Sequence, residues 1–250
     1  VDFMEAVKIL ARKCGITLDR NISEEEKKKI QEINKFREIH TEAARFYFAN
    51  LLRTKNPGYE YLRKRGLSDK IIKKFGLGYS PNSWNSLMNY LLSKGYDKTD
   101  LVKCGLITHK TESNKYFDRF RNRVMFPIFN YNGKVIGFGG RVLDDSLPKY
   151  LNSPETLVFN KRMNLYGLNI SKKGIKDDTL ILVEGYMDLI SLYQNNIENV
   201  VATLGTALTI EQAKLIRRFA KNVIISYDSD QAGQKIGRAH VWTPVTNHHL

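Results

Sequence analysis

The residues with most chemistry to offer are carboxylates placed where apolar strands end. In TLILVEGYMDLISLY, residues 179–193, the run Leu180 to Val183 reads as a buried strand that leads directly into Glu184 and Gly185, with Asp188 following. In the later stretch VIISYDSDQAG, Val223 to Tyr227 reads as a second such strand that leads into Asp228 and Asp230. An extended backbone sends alternate side chains the same way, so both aspartates of DSD are expected on one side. Asp188 stands one helical turn beyond Glu184 and can lean toward them. One acid at a strand end needs no explanation, because strands emerge into solvent. Three or four within roughly 5 Å repel by about 3 kcal/mol per pair at an effective dielectric of about 20. A cation among them makes that grouping tolerable. With no His or Cys nearby, hard oxygen ligands point to Mg²⁺ or Mn²⁺, which keeps waters and is completed by substrate phosphates. Glu184, Asp228 and Asp230 therefore read as metal ligands rather than general bases.

The elements that must position these acids alternate. A strand at Leu180 to Val183 is followed by a helix through about Gln194, and Val200 to Leu204 forms the next strand. Thr209 with Gln212 makes a capping pattern for a second helix, with Ala213, Ile216 and Phe219 or Ala220 expected to face inward. Val223 to Tyr227 closes the series. Strands joined through helices by short connections imply a parallel sheet with right-handed crossovers, and such sheets bind ligands beyond the carboxyl ends of their strands. The acids fall at that edge. A phosphoacceptor receiver domain also gathers acids there, but it does not ordinarily carry a large basic region in front.

Here such a region is present. The chain of 250 residues carries a net charge of +14, yet residues 176–235 hold 6 basic against 8 acidic residues. The positive excess lies in residues 1–175, with 33 basic against 18 acidic, and suggests a polyanionic partner, most often nucleic acid. The opening VDFMEAVKILARKCGI has helical spacing, residues 17–29 read as a polar linker, and Ser23 with Glu26 opens a helix running to about residue 52. Ile30, Ile33, Phe36, His40, Ala43 and Tyr47 share its apolar face. Short glycine-punctuated helices follow, then RVMFPIFNYNGKVIGFGGRVL, two strands joined at Asn132-Gly133. Gly137, Gly139 and Gly140 suggest a backbone left bare for close approach. Cys14 and Cys104 lack metal-ligand spacing, and each is expected to be a small core residue in a reducing cytoplasm. No apolar run has the length to cross a bilayer and no leader is evident, so no membrane partner is expected.

At this point LILVEGYMDLI, ATLGTALT and YDSDQAGQK resemble the Toprim fold of bacterial DnaG-type primases. YLRKRGLSDKIIKKFGLGYSP, DRFRNRVMFPIFN, GKVIGFGGRVL and PKYLNSPETLVFNKRMNLYGL resemble the basic core subdomain that precedes it in that family. The likeness covers nearly all of residues 1–235. It implies an α/β fold in which a basic α+β subdomain, residues 30–175, precedes a Toprim-type βαβαβ unit, residues 176–235. It also implies a DNA-directed RNA polymerase that makes RNA primers on a single-stranded DNA template from ribonucleoside triphosphates. Glu184, Asp228 and Asp230 would be its metal ligands and Asp188 a supporting acid. Lys149, Tyr150 and Asn152 of PKYLNSPE, Lys161 of FNK, Arg141 of GFGGR, and Arg119, Arg121 and Arg123 of DRFRNR would contact template phosphates or nucleotide. Other Toprim enzymes such as topoisomerases share the acids but need a nucleophilic tyrosine in a separate domain, and PKYLNSPET and RVMFPI speak against them. A non-catalytic recombination-mediator module would be shorter and carry a zinc motif.

Against the family pattern, residues 1–16 look like the last helix of a zinc-binding domain whose Zn²⁺ ligands belong to the full-length protein only. The Toprim unit reads as truncated, and the carboxy-terminal domain that docks on the replicative helicase is not in this sequence. Residues 236–250, IGRAHVWTPVTNHHL, lack helical periodicity and resemble a translated sequencing adapter, a non-native tail. Fragment activity is accordingly expected to be low.

Overall fold

The computed structural model describes residues 10–14, 23–53, 56–205 and 207–227. Expectations that fall on residues 1–9, on most of the linker, on Asp228 and Asp230, and on the tail 236–250 lie outside the described residues. Of the opening helix, residues 10–13 are helical, and Cys14 just after them is exposed rather than a core residue. The chain forms two compact units, Val1–Asn160 and Lys161–Leu250.

The first unit is built on a long helix, α1 (Glu24–Leu52). Its start is fixed by a reciprocal cap: Glu26 N–H donates to Ser23 Oγ, and Ser23 N–H donates to the Glu26 carboxylate, each at 3.2 Å. Phe36, His40, Ala43 and Tyr47 are buried as their spacing predicts, and Ile39 and Leu51 join them. Ile30 is 49% exposed and Ile33 only half-buried, because the buried apolar face of the helix begins at Phe36. Four short helices follow: α2 (Pro57–Lys64), α3 (Asp69–Phe75), α4 (Ser86–Ser93) and α5 (Lys98–Lys103).

Among the described residues, six strands complete the unit. β1 (Gly78–Ser80), β4 (Arg123–Phe129), β5 (Val135–Val142) and β6 (Tyr150–Asn152) form an antiparallel sheet in the order β1-β4-β5-β6. β2 (Ile107–Lys110) and β3 (Lys115–Asp118) pair separately. The β4–β5 turn is a loop over residues 131–133 rather than a two-residue turn. Gly133 N–H donates to the Asn130 carbonyl at 2.9 Å, and Gly133 takes a φ of 81° that favours glycine. Gly137 and Gly140 do admit close neighbours, but these are the protein's own side chains. A Cβ at Gly140 would meet the Phe120 ring at 2.8 Å, and one at Gly137 would meet the Phe159 ring at 3.3 Å.

Phe36, Ile39, Tyr47, Leu91, Leu101, Phe120, Met125 and Phe138 pack into one core, together with Cys104. Polar side chains are buried in this unit as well, His40 and Asp118 among them. His40 stacks on Phe138, its Nδ1 donates to the Phe36 carbonyl at 2.7 Å, and burial pulls its pKa down to about 4. Asp118, at the end of β3, accepts from Leu87 N–H at 2.8 Å and Met88 N–H at 2.9 Å. It thereby caps α4, whose own N-cap residue Asn85 makes no side-chain cap bond. Burial pushes the Asp118 carboxyl up to about 6.

The second unit contains α6 (Leu168–Ser171), β7 (Thr179–Val183), α7 (Tyr186–Gln194), β8 (Val200–Ala202), α8 (Ile210–Ile216) and β9 (Asn222–Ile225). The three strands form a parallel sheet in the order β8-β7-β9. Residues 161–175 belong to this compact unit. Tyr166 bridges to Ala202, and Ser171 Oγ donates to the Val200 carbonyl. The central strand buries Leu180, Leu182 and Val183. On β9, at the other side, Val223, Ile224 and Ile225 are 40%, 54% and 43% exposed. In α8, Ile216 is buried and Ala220 beyond it as well, but Ala213 is exposed, and the inward position beside it belongs to Gln212. No helix among the described residues is long and apolar enough to cross a membrane.

A buried histidine with a depressed pKa stabilises the fold fully above its ordinary value of 6.5, and that contribution is lost as pH falls toward 4. Asp118, raised, contributes with the opposite sign, so the His40 part must be isolated by substitution. Between about pH 8 and about pH 5 the wild type is expected to lose about 2 kcal/mol more unfolding free energy than His40→Gln, read by urea titration. Parallel pH profiles for the two proteins would contradict a neutral buried His40.

Candidate functional site

The acid edge is set by strand pairing. In the β7–β9 ladder Leu182 stands opposite Ile225, and Ser226 N–H donates to the Leu182 carbonyl at 2.8 Å. Glu184 and Tyr227 are each two residues further along their strands. On the other side Val183 pairs with Ala202, Thr203 N–H donates to the Val183 carbonyl at 3.2 Å, and Thr203 Oγ1 approaches the Glu184 carbonyl at 3.5 Å. Glu184, Thr203 and Tyr227 thus leave three parallel strands at one edge, the carboxyl edge. The Tyr227 hydroxyl is pushed up to about 12 by burial and by the negative charge of Glu184, so the two side chains share one electrostatic environment. Asp228 is the next residue after Tyr227. It and Asp230 lie outside the described residues, and among the described residues no group of three His, Cys, Asp or Glu side chains is placed to hold a metal.

Asp188 has a definite local role. Its Oδ2 accepts from Gly185 N–H at 3.1 Å, which satisfies a free donor at the start of α7 and fixes the turn immediately after Glu184. A Cβ at position 185 would lie 2.6 Å from that oxygen, so a larger residue there would have to displace the Asp188 cap.

The basic candidates other than Lys161 belong to the first unit, and all of them but Arg121 cluster around β6. Pairing sets Arg141 opposite Tyr150 and Gly139 opposite Asn152. The Arg141 guanidinium lies 4.4 Å from the Tyr61 ring centroid and 5.9 Å from that of Tyr150. Lys149 is exposed on the segment leading into β6. Arg119 Nη2 donates to the Asn152 carbonyl at 3.3 Å. Arg123 is buried, and its Nη1 donates to the carbonyls of Gly140 at 3.1 Å and Pro148 at 3.0 Å and approaches that of Lys149 at 3.4 Å. Arg119 and Arg123 therefore hold the backbone that presents Lys149, Tyr150 and Asn152, and neither is turned fully to solvent. Arg121 lies elsewhere, 4.2 Å from the ring centroid of Trp84 and 5.4 Å from that of Phe117.

Two aromatics were not singled out from sequence: Tyr61, under Arg141, and Trp84, which is 65% exposed. Trp84 had a legible signal, a large aromatic in the polar turn PNSWNS. Tyr61 had none, because its partner is remote in sequence. Lys161 begins a short 3₁₀ turn, Lys161–Met163, in the second unit.

Residues 46–172 match the family model described as DNA primase catalytic core, N-terminal domain, and residues 181–241 match one described as Toprim-like. The DNA primase of Clostridium acetobutylicum is 53% identical over 232 residues, 93% of this chain and 38% of that protein. That of Deinococcus radiodurans is 44% identical over 237 residues, 94% of this chain and 40% of that protein. Among solved structures, a DnaG primase catalytic domain bound to ssDNA is 37% identical with a TM-score of 0.78, over 84% of this chain and 68% of that one. The zinc-binding and RNA polymerase domains of the Aquifex aeolicus primase are 39% identical with a TM-score of 0.76, over 96% and 57%. This chain spans about two fifths of the length of the two curated relatives.

Replacing Arg123 by Leu leaves buried carbonyls without a donor and is expected to cost about 2 kcal/mol of stability. Lys149→Ala, with an exposed side chain, is expected to leave the urea midpoint unchanged. Equal midpoints for wild type and Arg123→Leu would contradict the inward role of Arg123.

Proposed function

We propose that this chain, which belongs to the DnaG-type DNA primase family, carries part of the catalytic core of a DNA-directed RNA polymerase that makes RNA primers on single-stranded DNA. The observation that supports this reading most directly is the convergence of Glu184 and Tyr227 on one edge of the parallel sheet.

The donor chemistry of that edge suits a hard divalent ion. Residues 161–235 contain no His or Cys, so every side-chain ligand available there is oxygen. Glu184, Asp228 and Asp230 are the residues proposed to hold Mg²⁺ or Mn²⁺. Bound there, the ions supply charge neutralisation for a triphosphate and lower the pKa of an attacking 3′-hydroxyl. Asp188 keeps the strand-to-helix turn rigid, so that the Glu184 backbone is placed before substrate arrives. On the basic subdomain, Lys149 and Arg141 contact phosphates of template or nucleotide, with Arg119 and Arg123 holding their strands from behind. Tyr150, Tyr61 and Trp84 offer aromatic faces on which bases can stack, each beside a guanidinium or close to one. Lys161 is proposed as a further phosphate contact and Asn152 as a polar one.

Zinc, in this reading, belongs to a segment that precedes this chain in the full-length protein. Cys104 is buried with its thiol pushed well up by desolvation, the opposite of a ligand thiolate. Helicase docking is likewise assigned to a carboxy-terminal segment, the working compartment to the cytoplasm, and residues 236–250 to a non-native origin that the source DNA would reveal.

In the full-length protein, Glu184→Gln is expected to abolish labelled primer synthesis while leaving single-stranded DNA binding intact. Primer made at the normal rate would overturn the metal-ligand assignment. Each true phosphate contact also carries a salt signature. Lys149→Ala is expected to reduce the slope of log affinity against log salt by about 0.7 for a single strand. An unchanged slope would remove Lys149 from the DNA interface.

A further inference from the structure

Gln212 is fully buried although its side chain is polar. Each of its polar atoms is engaged. Oε1 accepts from Thr209 N–H at 3.1 Å, and Nε2 donates to the carbonyls of Lys161 at 3.0 Å and Asn164 at 2.9 Å. Thr209 is used in the same double way. Its Oγ1 accepts from Gln212 N–H at 3.1 Å and donates to the carbonyl of Arg162 at 2.6 Å. An ordinary capping box needs only the two reciprocal bonds that start a helix. Here the same two side chains also take three carbonyls from the four residues that begin with Lys161.

The consequence is directional. Carbonyls of the Lys161–Met163 turn are held against the start of α8, while Arg162 and Met163 are exposed and Lys161 is half-exposed. A turn this short has no hydrophobic anchor of its own among its three residues, and its conformation follows its hydrogen bonds. A side chain carrying an ammonium on four flexible carbons gains phosphate affinity only where its Cα is placed correctly.

We propose that Gln212, with Thr209, is a positioning residue that sets the place of Lys161 toward the phosphates of the incoming nucleotide without touching the nucleotide itself. This rests on the reading of Lys161 as a phosphate contact. Gln212 acts through the backbone, so removing its donor shifts the turn, and the effect of that shift disappears when the Lys161 side chain is gone.

The test is a double-mutant cycle in the full-length protein, with KM for ribonucleoside triphosphate and kcat measured separately. Lys161→Ala is expected to raise KM, and Gln212→Met, of similar size but with no donor, to raise it by roughly tenfold with kcat little changed. The double variant is expected to be no worse than Lys161→Ala alone. Thr209→Val should reproduce the rise and Thr209→Ser should restore wild-type KM. Thr209→Val also serves as the test should Gln212→Met fail to fold. Additive effects in the cycle, or a fall in kcat and melting temperature with KM unmoved, would show Gln212 to be only structural and overturn the proposal. An unchanged KM in Lys161→Ala would instead sink the phosphate-contact reading on which it stands.

Discussion

The parallel pairing of β7 with β9 is the constraint on which the rest depends. Side chains in a strand alternate between faces, so a slip of one residue in that ladder would turn Glu184 away from Tyr227. The bond from Ser226 N–H to the Leu182 carbonyl extends the register beyond the last paired residues, to the point where the acids begin. The burial of Leu180, Leu182 and Val183 holds the central strand in one register, because any other would expose part of that set. The placement of Glu184 beside Tyr227 at the carboxyl edge therefore follows from core packing of the central strand.

The basic subdomain solves a related problem. Guanidinium and ammonium groups recognise phosphate well only when their backbone is already placed. Arg119 and Arg123 meet that need from the inside, by holding the carbonyls of residues 140, 148 and 152. In the second unit Gln212 and Thr209 play the corresponding part for the turn at Lys161. In both units polar side chains hold, through backbone carbonyls, the segments that carry Lys149 and Lys161.

What could be read from sequence was local. The caps at Ser23 and Thr209, the alternation of strands and helices after residue 179, and the emergence of Glu184 at a strand end all follow from rules spanning a few residues. What could not be read depended on partners distant in the chain. Asp118 caps α4 from another strand, and nothing near Asn85 announces it. Gly137 and Gly140 looked bare for a ligand, yet Phe159 and Phe120 fill the space. Periodicity points Ala213 inward, but the buried position is Gln212, whose carbonyl partners lie about fifty residues earlier in the chain. Cys14 looked like core by composition and is exposed.

The most direct measurement is anomalous diffraction from crystals of the full-length protein soaked in Mn²⁺. The expected result is a manganese peak within about 2.1 Å of a Glu184 carboxylate oxygen, with the carboxylates of Asp228 and Asp230 completing the set. Manganese bound elsewhere, with Glu184 directed away from both aspartates, would contradict the central claim.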